Sequence, residues 1–154
     1  MPKIEIAKIP AQPIASYPKE FAPVISGREK QRVGDAVGLT QFGVNITRIK
    51  PHSASALRHV HGNEDEFIYV LEGELVLHEN DGVTLLKSGE AAGFKAGSGN
   101  AHCLINRTDR DAVYFEVGTR AKSERVQYPD VDFVMERDEN GRRFFRKSGE
   151  PIKD

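Results

Sequence analysis

The sequence predicts an all-β protein: an antiparallel jelly-roll β-barrel with an extended N-terminal arm and a C-terminal β-hairpin. Residues 36–119 divide into many short segments of β character with turn residues between them, which is typical of sandwiches and barrels. No segment shows a sustained helical period with caps. The 154 residues fit one domain, and the lack of a self-similar repeat excludes a duplicated barrel.

Residues 1–35 are predicted to form the N-terminal arm. Prolines at positions 10, 13, 18 and 23 exclude a long regular helix and favour extended backbone, with room for one edge strand. An arm of this kind wraps its own barrel or a neighbouring subunit. The arm is therefore a candidate for dimer contacts.

Residues 36–119 are predicted to form the barrel core. A tight hairpin turn is expected at Asn80-Asp81-Gly82, because Asp-Gly tolerates positive φ. Gly97, Gly99 and Asn100 predict a flexible loop. The expected strands are 38–50, 55–61, 66–72, 74–79, 83–87, 90–94, 102–107 and 112–118.

Residues 120–154 are polar and charged and form the predicted C-terminal extension. An alternating pattern follows at 131–136, where Val131, Phe133 and Met135 are separated by Asp132 and Val134 and followed by Glu136. This pattern favours an edge strand. Residues 138–141 (DENG) then predict a hairpin turn into residues 142–146.

Composition argues against several function classes. The chain has 22 basic and 23 acidic residues and a formal net charge of −1, so neither a nucleic-acid partner nor an anionic membrane is indicated.

Its single cysteine, Cys103, cannot form an internal disulfide, which fits a reducing compartment. The N-terminus lacks the apolar core of a secretory signal, and no apolar run approaches the ~20 residues that span a bilayer. We expect a soluble cytoplasmic protein with a small-molecule ligand.

Three histidines and one glutamate are the candidate metal ligands. His59 and His61 are two residues apart, so on a strand they project to the same side. Glu66 begins the next predicted strand, and Glu64, which shares its parity, is the alternative carboxylate. His102 lies far away in sequence, but a barrel can bring it beside the others.

This donor set suits a divalent metal ion. Imidazole nitrogen is a good borderline ligand, and a carboxylate adds a hard oxygen and compensating charge. Four protein ligands on an octahedral ion leave two positions for substrate or dioxygen, whereas zinc is more often four-coordinate. The competing interpretation is that the histidines fill a polar barrel interior without binding a metal.

With these motifs the chain resembles a single-domain cupin. The first cupin motif has the pattern G-x5-H-x-H-x3–4-E-x6-G. Its two histidines, its glutamate and its last glycine correspond here to His59, His61, Glu66 and Gly73. The second motif has the pattern G-x5–7-P-x-G-x2-H-x3-N. Its two glycines, its histidine and its asparagine correspond here to Gly89, Gly99, His102 and Asn106. Ser53 replaces the first glycine of motif one and Gly97 replaces the proline of motif two. Both departures affect turns rather than ligands.

The resemblance implies a site and a range of activities. In metal-binding cupins these four positions bind the metal, so the implied ligands are His59, His61, Glu66 and His102. The ion would be iron, zinc, manganese or nickel. The implied activity is that of an oxygenase, isomerase or lyase acting on a small polar or anionic molecule, and the alternative is non-catalytic binding of a small molecule or metal. A homodimer is also implied. The flanking segments 34–45 and 112–120 resemble a branch of small bacterial cupins of unknown function, which gives no substrate.

Several other residues receive simpler interpretations. Asn106 is predicted to bracket a loop through its buried amide, and Cys103 to be a small buried residue that faces away from His102. His52 and His78 are interpreted as surface histidines. Two further residues, Phe94 and Lys95, are placed at the barrel mouth, where a lysine would either meet an anionic substrate or remain solvated.

Overall fold

The computed structural model describes residues 3–14 and 16–153 of the chain, and the predicted fold class is confirmed. The described residues contain no α-helix, only three single turns of 3-10 helix between thirteen strands. The strands are β1 (Gln12–Pro13), β2 (Arg28–Arg32), β3 (Phe42–Ile49), β4 (Val60–His61), β5 (Glu66–Glu72), β6 (Glu74–Glu79), β7 (Gly82–Lys87), β8 (Ala91–Phe94), β9 (Cys103–Ile105), β10 (Ala112–Thr119), β11 (Glu124–Tyr128), β12 (Phe133–Asp138) and β13 (Gly141–Phe145).

The strands form three antiparallel sheets. The largest has the order β1-β2-β3-β10-β5-β8, the second β13-β12-β11-β4, and the third β7-β6-β9. Neighbours in this order are often far apart in sequence, as in β3 beside β10 and β6 beside β9. This connectivity, in which distant segments become neighbours, is that of a jelly roll.

Most of the core strands lie where the sequence predicts them. Strands β5 and β6 match the predicted boundaries at 66–72 and 74–79. The hairpin between β6 and β7 is confirmed, with Gly82 at φ 134°. The predicted strand 55–61 is shorter than expected, because only Val60–His61 is a strand and Ala54 and His59 form isolated bridges.

A first hydrophobic core fills the space between the largest and the smallest sheet. Strand β5 illustrates its origin: Ile68 and Val70 point inward at 5% and 0% exposure, whereas Phe67 and Tyr69 point outward. This alternation is the period-two signal that the sequence shows. The buried members are Ile49, Ile68, Val70, Leu75, Leu77, Leu86, Leu104, Ala112 and Tyr114.

A second core joins the two ends of the chain. Tyr17 and Phe21 from the arm pack on Phe133 of β12, with ring centroids 5.8 Å and 5.0 Å away. Phe144 and Ile152 pack against the same cluster. The arm therefore packs against the C-terminal strands of its own chain.

The sequence-based account of the C-terminal extension needs two corrections. Strand β12 is not an edge strand, because β11 pairs with it on one side and β13 on the other. Strand β11 was not predicted. In the N-terminal arm, β2 pairs with both β1 and β3, so it is not the single edge strand for which the sequence left room. The β12–β13 hairpin itself is confirmed. The division into segments 1–35, 36–119 and 120–154 stays a prediction.

No helix in the described part of the chain is both long and apolar enough to cross a membrane.

Candidate metal centre and cavity

His59 and His102 come together through a backbone bridge. The amide of His59 donates to the carbonyl of His102 at 3.0 Å, and the amide of His102 donates to the carbonyl of His59 at 2.8 Å. Directly opposed residues on antiparallel strands point to the same side, so the two rings lie 4.7 Å apart between centroids. The fold thus joins the two segments that the sequence separates by 43 positions.

Glu66 lies at the centre of the three imidazoles. Its carboxylate is 2.9 Å from His102 Nε2, 3.4 Å from His61 Nε2 and 3.7 Å from His59 Nε2. Strand β5 sets this position, since Glu66 begins the strand and shares the inward parity of Ile68. All four predicted ligand residues therefore meet at one place.

In His59 and His61, the ring nitrogen that faces away from Glu66 has an acceptor of its own. His59 Nδ1 is 2.8 Å from the carbonyl oxygen of Leu57, and His61 Nδ1 is 3.3 Å from Glu124 Oε2. A carbonyl or carboxylate there favours a hydrogen on Nδ1 and leaves the Nε2 lone pair for a metal. For two of the three imidazoles, these contacts therefore favour the tautomer whose free Nε2 faces Glu66.

Glu124 is a buried carboxylate that the sequence analysis did not identify. Its side chain has no exposed surface. Its Oε1 accepts hydrogen bonds from the amides of Gly62, Asn63 and Arg125 at 2.9, 3.0 and 2.6 Å. These bonds stabilise the carboxylate beside His61. The glutamate is fixed by the same turn that follows the His-x-His pair.

His102 is held by stacking rather than by an Nδ1 acceptor. Its ring lies parallel to Phe94, with the centroids 3.5 Å apart, and its buried Nδ1 has no hydrogen-bond partner among the described residues. Burial lowers the pKa of His102, although Glu66 opposes the shift. A neutral imidazole is the form that binds metals.

Charge in the cluster favours an ionised Glu66. Burial acts to raise the pKa of Glu66, but the neighbouring His102, His59 and His61 hold that pKa well below its usual range. Burial also acts to lower the pKa of His61, but the carboxylates of Glu66 and Glu124 raise it overall. The glutamate is therefore an anionic oxygen donor among nitrogen donors.

The cluster fits a divalent metal ion on its donor chemistry. Ligand atoms of His59, His61 and Glu66 lie within 4.8 Å of one another. Glu66 Oε2 is buried without a hydrogen-bond partner in the described part of the chain, although His102 Nε2 is 2.9 Å away. A buried anionic oxygen without a bond is costly, and a cation bound between the four side chains would satisfy it.

The alternative carboxylate, Glu64, is turned away from the Nε2 atoms. It forms an ion pair with Arg137 and accepts a hydrogen bond from the amide of Ala121 at 3.0 Å. Its closest approach to His61 is 3.8 Å, on the Nδ1 side. The geometry favours Glu66 over Glu64 as the metal-facing carboxylate.

The cluster lies on the wall of a cavity of about 420 Å³. This is within the usual range for small-molecule sites, roughly 300–1,000 Å³. Tyr17, Tyr114 and Tyr128 line it together with apolar residues such as Ile68 and Leu104. Burial raises the pKa of all three tyrosines, so their hydroxyls stay protonated at neutral pH and can donate hydrogen bonds.

The cavity wall also carries charges that were missed in the sequence. Its cationic residues are Arg28, Lys30, Arg32, Arg120 and Arg142, and its acidic residues apart from Glu66 are Asp35 and Glu116. The sequence pattern that could have revealed these cations is Arg-Glu-Lys-Gln-Arg at 28–32. In this segment a cationic residue occurs at every second position. Such a row on a strand places cations on one face, although apolar residues usually occupy the inner face.

The remaining predicted residues lie largely as expected. Asn106 is fully buried and its amide donates to the carbonyls of Ile49 and Arg110 at 2.9 and 2.7 Å. Cys103 is buried, and His52 is exposed beside Asp109. Lys95 is exposed and is not among the residues that line the 420 Å³ cavity, whereas Phe94 is. His78 is half-buried at the end of β6.

Comparison with known proteins identifies the family. A model of the cupin domain matches residues 45–118. A sugar phosphate isomerase of the cupin superfamily from Silicibacter pomeroyi is 41% identical, with a TM-score of 0.95 over 99% of this chain and 97% of that one. A protein from Acidithiobacillus ferrooxidans, provisionally named a sugar phosphate isomerase, is 26% identical, with a TM-score of 0.75 over 82% of this chain and 81% of that one.

More distant structures share the fold alone. One is a predicted oxalate decarboxylase from Thermotoga maritima, which is 20% identical with a TM-score of 0.63 over 77% of this chain and 99% of that one. The comparison with curated proteins found no match. The identity to the first relative over nearly the whole of both chains shows that this chain belongs to the cupin superfamily.

Proposed function

We propose that the protein is a metal-dependent isomerase that acts on a small phosphorylated sugar. The observation that carries the proposal is the composition of the cavity, which has a cluster of three histidines and a glutamate on one wall and a row of cations on another. A sugar phosphate offers both matching parts: hydroxyl and carbonyl oxygens for a metal, and an anionic group for the cations. The name of the 41% identical relative supports the same substrate class.

The metal ligands in this proposal are His59, His61, Glu66 and His102. An iron, zinc, manganese or nickel ion held there would act as a Lewis acid on the oxygens of the substrate, which makes the neighbouring C–H bond more acidic. Phe94 keeps His102 in place by stacking, and Glu124 orients His61.

Glu116 is the proposed acid–base residue. Conversion between an aldose and a ketose removes a proton from one carbon and returns a proton to its neighbour, so a base must face the substrate. Glu116 lines the cavity, and Lys30 and Asn45 both bind its Oε1. Those contacts orient the carboxylate. Tyr114 and Tyr128, whose pKa values burial raises, would donate hydrogen bonds instead.

The isomerase proposal selects one reaction type from the several that the resemblance to cupins implies. An oxygenase, lyase or isomerase can each use this ligand set, and fold alone cannot separate them. The cationic cavity wall favours an anionic substrate, and a nearby carboxylate suits proton transfer rather than oxygen chemistry. Both features are side chains of this chain and not properties of the fold.

The direct test is turnover of sugar phosphates. Purified protein reconstituted separately with manganese, zinc, iron(II) or nickel is incubated with pentose and hexose phosphates in deuterium oxide. Proton NMR then follows both the appearance of the isomer and the incorporation of deuterium. We expect conversion with at least one metal and one phosphate, and none with the unphosphorylated sugars.

Matched histidine variants connect the activity to the site. His61→Ala is expected to lose bound metal and turnover, whereas His78→Ala, which changes a histidine outside the cluster, should keep both. Binding of sugar phosphates without conversion under any metal would contradict the isomerase proposal and favour a non-catalytic binding protein. Equal metal content in the two variants would contradict the proposed ligand set.

We also propose that the protein is a homodimer. The outer face of β5 exposes Phe67, Tyr69 and Leu71 at 46%, 41% and 40%. The backbone of β5 is already paired with β8 and β10, so this surface can bind a partner only by side-chain packing. A second copy of the chain offers the same apolar surface, and a two-fold axis would bring the two together.

A further inference from the structure

Strand β2 carries three cations on the face that lines the cavity: Arg28, Lys30 and Arg32. Residues two apart on a strand share a face, which explains why all three point the same way. Arg28 is 6% exposed, whereas the side chains of Lys30 and Arg32 are 18% and 57% exposed. The row therefore runs from a buried end to an exposed end.

Carboxylates lie within ion-pair distance of the two outer cations of this row. Lys30 forms an ion pair with Glu116, and Arg32 lies 3.8 Å from Asp35. Arg28 has no carboxylate within ion-pair distance in residues 3–14 and 16–153. The most deeply buried charge of the row is thus the one that lacks a counterion.

Neutral groups alone bind the Arg28 guanidinium. It donates to the carbonyls of Ser55 and Ile14 at 2.6 and 3.1 Å and to Ser16 Oγ at 2.7 Å. A guanidinium has five N–H groups. The buried Nε–H of Arg28 is among those left over, and it has no hydrogen-bond partner within the described part of the chain.

A purely structural role explains only part of this arrangement. The bonds to Ile14 and Ser16 tie the arm to the barrel. Neutral donors could make the same bonds without the cost of burying a charge. Tethering therefore does not account for the unpaired charge or for the unbonded Nε–H beside the cavity.

Groups around Arg28 are also suited to an anion. Tyr17, Tyr114 and Tyr128 line the same cavity. Burial raises the pKa of each tyrosine, and the charge of Arg28 acts against that rise, which shows that the three hydroxyls lie within its field. Hydroxyl donors beside a cation can share the oxygens of one bound oxyanion.

We propose that Arg28 is the binding residue for the phosphate group of the substrate, with its Nε–H and its unpaired charge as the receptor. This inference rests on the proposed function, because that function makes the substrate a phosphate ester. It also orients the substrate: the phosphate lies at Arg28 on β2, and the reacting carbons lie at the histidine cluster.

Calorimetric titration of the full-length protein tests the assignment. The titrants are inorganic phosphate, ribose 5-phosphate and ribose, and the variants are Arg28→Gln and Arg28→Lys. We expect Arg28→Gln to weaken binding of both phosphates by about ten- to a hundredfold, the usual effect of losing a charge-assisted contact, with a smaller loss for Arg28→Lys. Arg48→Gln, an exposed arginine paired with Asp111, should bind as the parent does. Unchanged phosphate affinity in folded Arg28→Gln would overturn the proposal.

A second measurement needs no variant. Crystals of the unaltered protein are soaked in selenate, whose anomalous signal locates the anion. A peak within hydrogen-bond distance of Arg28 Nε supports the proposal. Selenate bound in the cavity away from Arg28, or no selenate in the cavity, overturns it.

Binding and turnover separate the failure of this inference from that of the proposed function. If Arg28→Gln loses phosphate binding but no sugar phosphate is isomerised by any metal form, Arg28 stands as an anion site and the isomerase proposal fails. If sugar phosphates are isomerised and Arg28→Gln keeps the parental KM, the isomerase proposal stands and the Arg28 assignment fails.

Discussion

At the scale of single residues, we expect Glu124 to control the metal affinity of the proposed ligand His61. Its Oε2 faces His61 Nδ1 while its Oε1 accepts the amides of Gly62, Asn63 and Arg125. In Glu124→Gln one of these oxygens becomes an NH2 group, so either His61 or the amides would face a donor. We expect metal affinity to fall about 10–100-fold, as for other residues that orient metal ligands. Competition with a fluorescent chelator measures it.

A half-buried glutamate from the same sheet provides the control for Glu124. Glu136 on β12 pairs with Arg125 at 2.6 Å and does not contact His61. Glu136→Gln should bind the metal as tightly as the parent. If Glu124→Gln also kept the parental affinity and melted at the parental temperature, the proposed orientation of His61 by Glu124 would be wrong.

A second prediction at this scale concerns the reactivity of Cys103. Burial raises the pKa of this thiol to about 11, whereas an ordinary cysteine has a pKa of about 8.5. An acid whose pKa is raised keeps its proton to higher pH, so Cys103 remains a neutral thiol where a free cysteine is already a reactive thiolate. We expect iodoacetamide to leave the native protein unlabelled between pH 7 and 9, as followed by mass spectrometry.

Denatured protein supplies the control for the labelling. In strong denaturant the same thiol should be alkylated completely, and its rate should rise with pH as for a model thiol. Rapid labelling of the native protein at pH 8 would mean that β9 opens readily or that the thiol is more exposed than the structure shows.

At the scale of elements, Asn106 holds the connection from β9 to β10. Its amide donates to the carbonyls of Ile49 and Arg110, and its Oδ1 accepts from the amide of Thr108. Asn106→Ala would remove the side-chain donor to the buried Ile49 carbonyl and one of the two donors to the Arg110 carbonyl, which costs about 2–4 kcal/mol of unfolding free energy. Urea denaturation measures the change. Asn140→Ala, in the exposed β12–β13 turn, should alter stability by less than about 0.5 kcal/mol.

The elements also show why some strands could be predicted and others could not. Strand β5 alternates Ile68 and Val70 with outward residues, which is the signal that sequence reading detects. The inward positions of β2 are Arg28 and Lys30, and β11 begins with the buried Glu124. Strand β2 lacks the apolar signal because its inward residues are cations, and β11 has only two apolar inward residues, Val126 and Tyr128, beside Glu124. The local pattern fails where the strand lines the cavity or supports the cluster.

The four proposed ligands could be identified because their spacing is local and distinctive. His59, His61 and Glu66 lie within eight positions, and His102 has its own motif. The cavity wall combines residues from strands with no shared sequence signal, such as Arg28 on β2, Glu116 on β10 and Tyr128 on β11. Only the three-dimensional neighbourhood reveals them.

At the scale of the whole molecule, the two ends of the chain both contribute to the cavity. The arm contributes Tyr17 to the cavity wall, and β12 contributes Met135. Aromatic contacts between the arm and the C-terminal strands belong to the second core. The functional site therefore depends on segments that lie outside the matched domain at 45–118, which is why a close relative over the full chain is more informative than the domain alone.

The last prediction concerns assembly. Phe67 is 46% exposed at one end of the apolar outer face of β5 and is the most exposed of its three apolar residues. Burying an aromatic side chain in an interface contributes strongly to affinity, and an arginine there would place unpaired charges opposite each other across a two-fold axis. We expect light scattering to find a dimer for the parent, and Phe67→Arg to raise the dissociation constant at least about tenfold. Val83→Arg, at a 57% exposed position on β7 of another sheet, should remain dimeric. A parent that is monomeric at high concentration would overturn the dimer, and dissociation by Val83→Arg alone would move the interface to the sheet of β7.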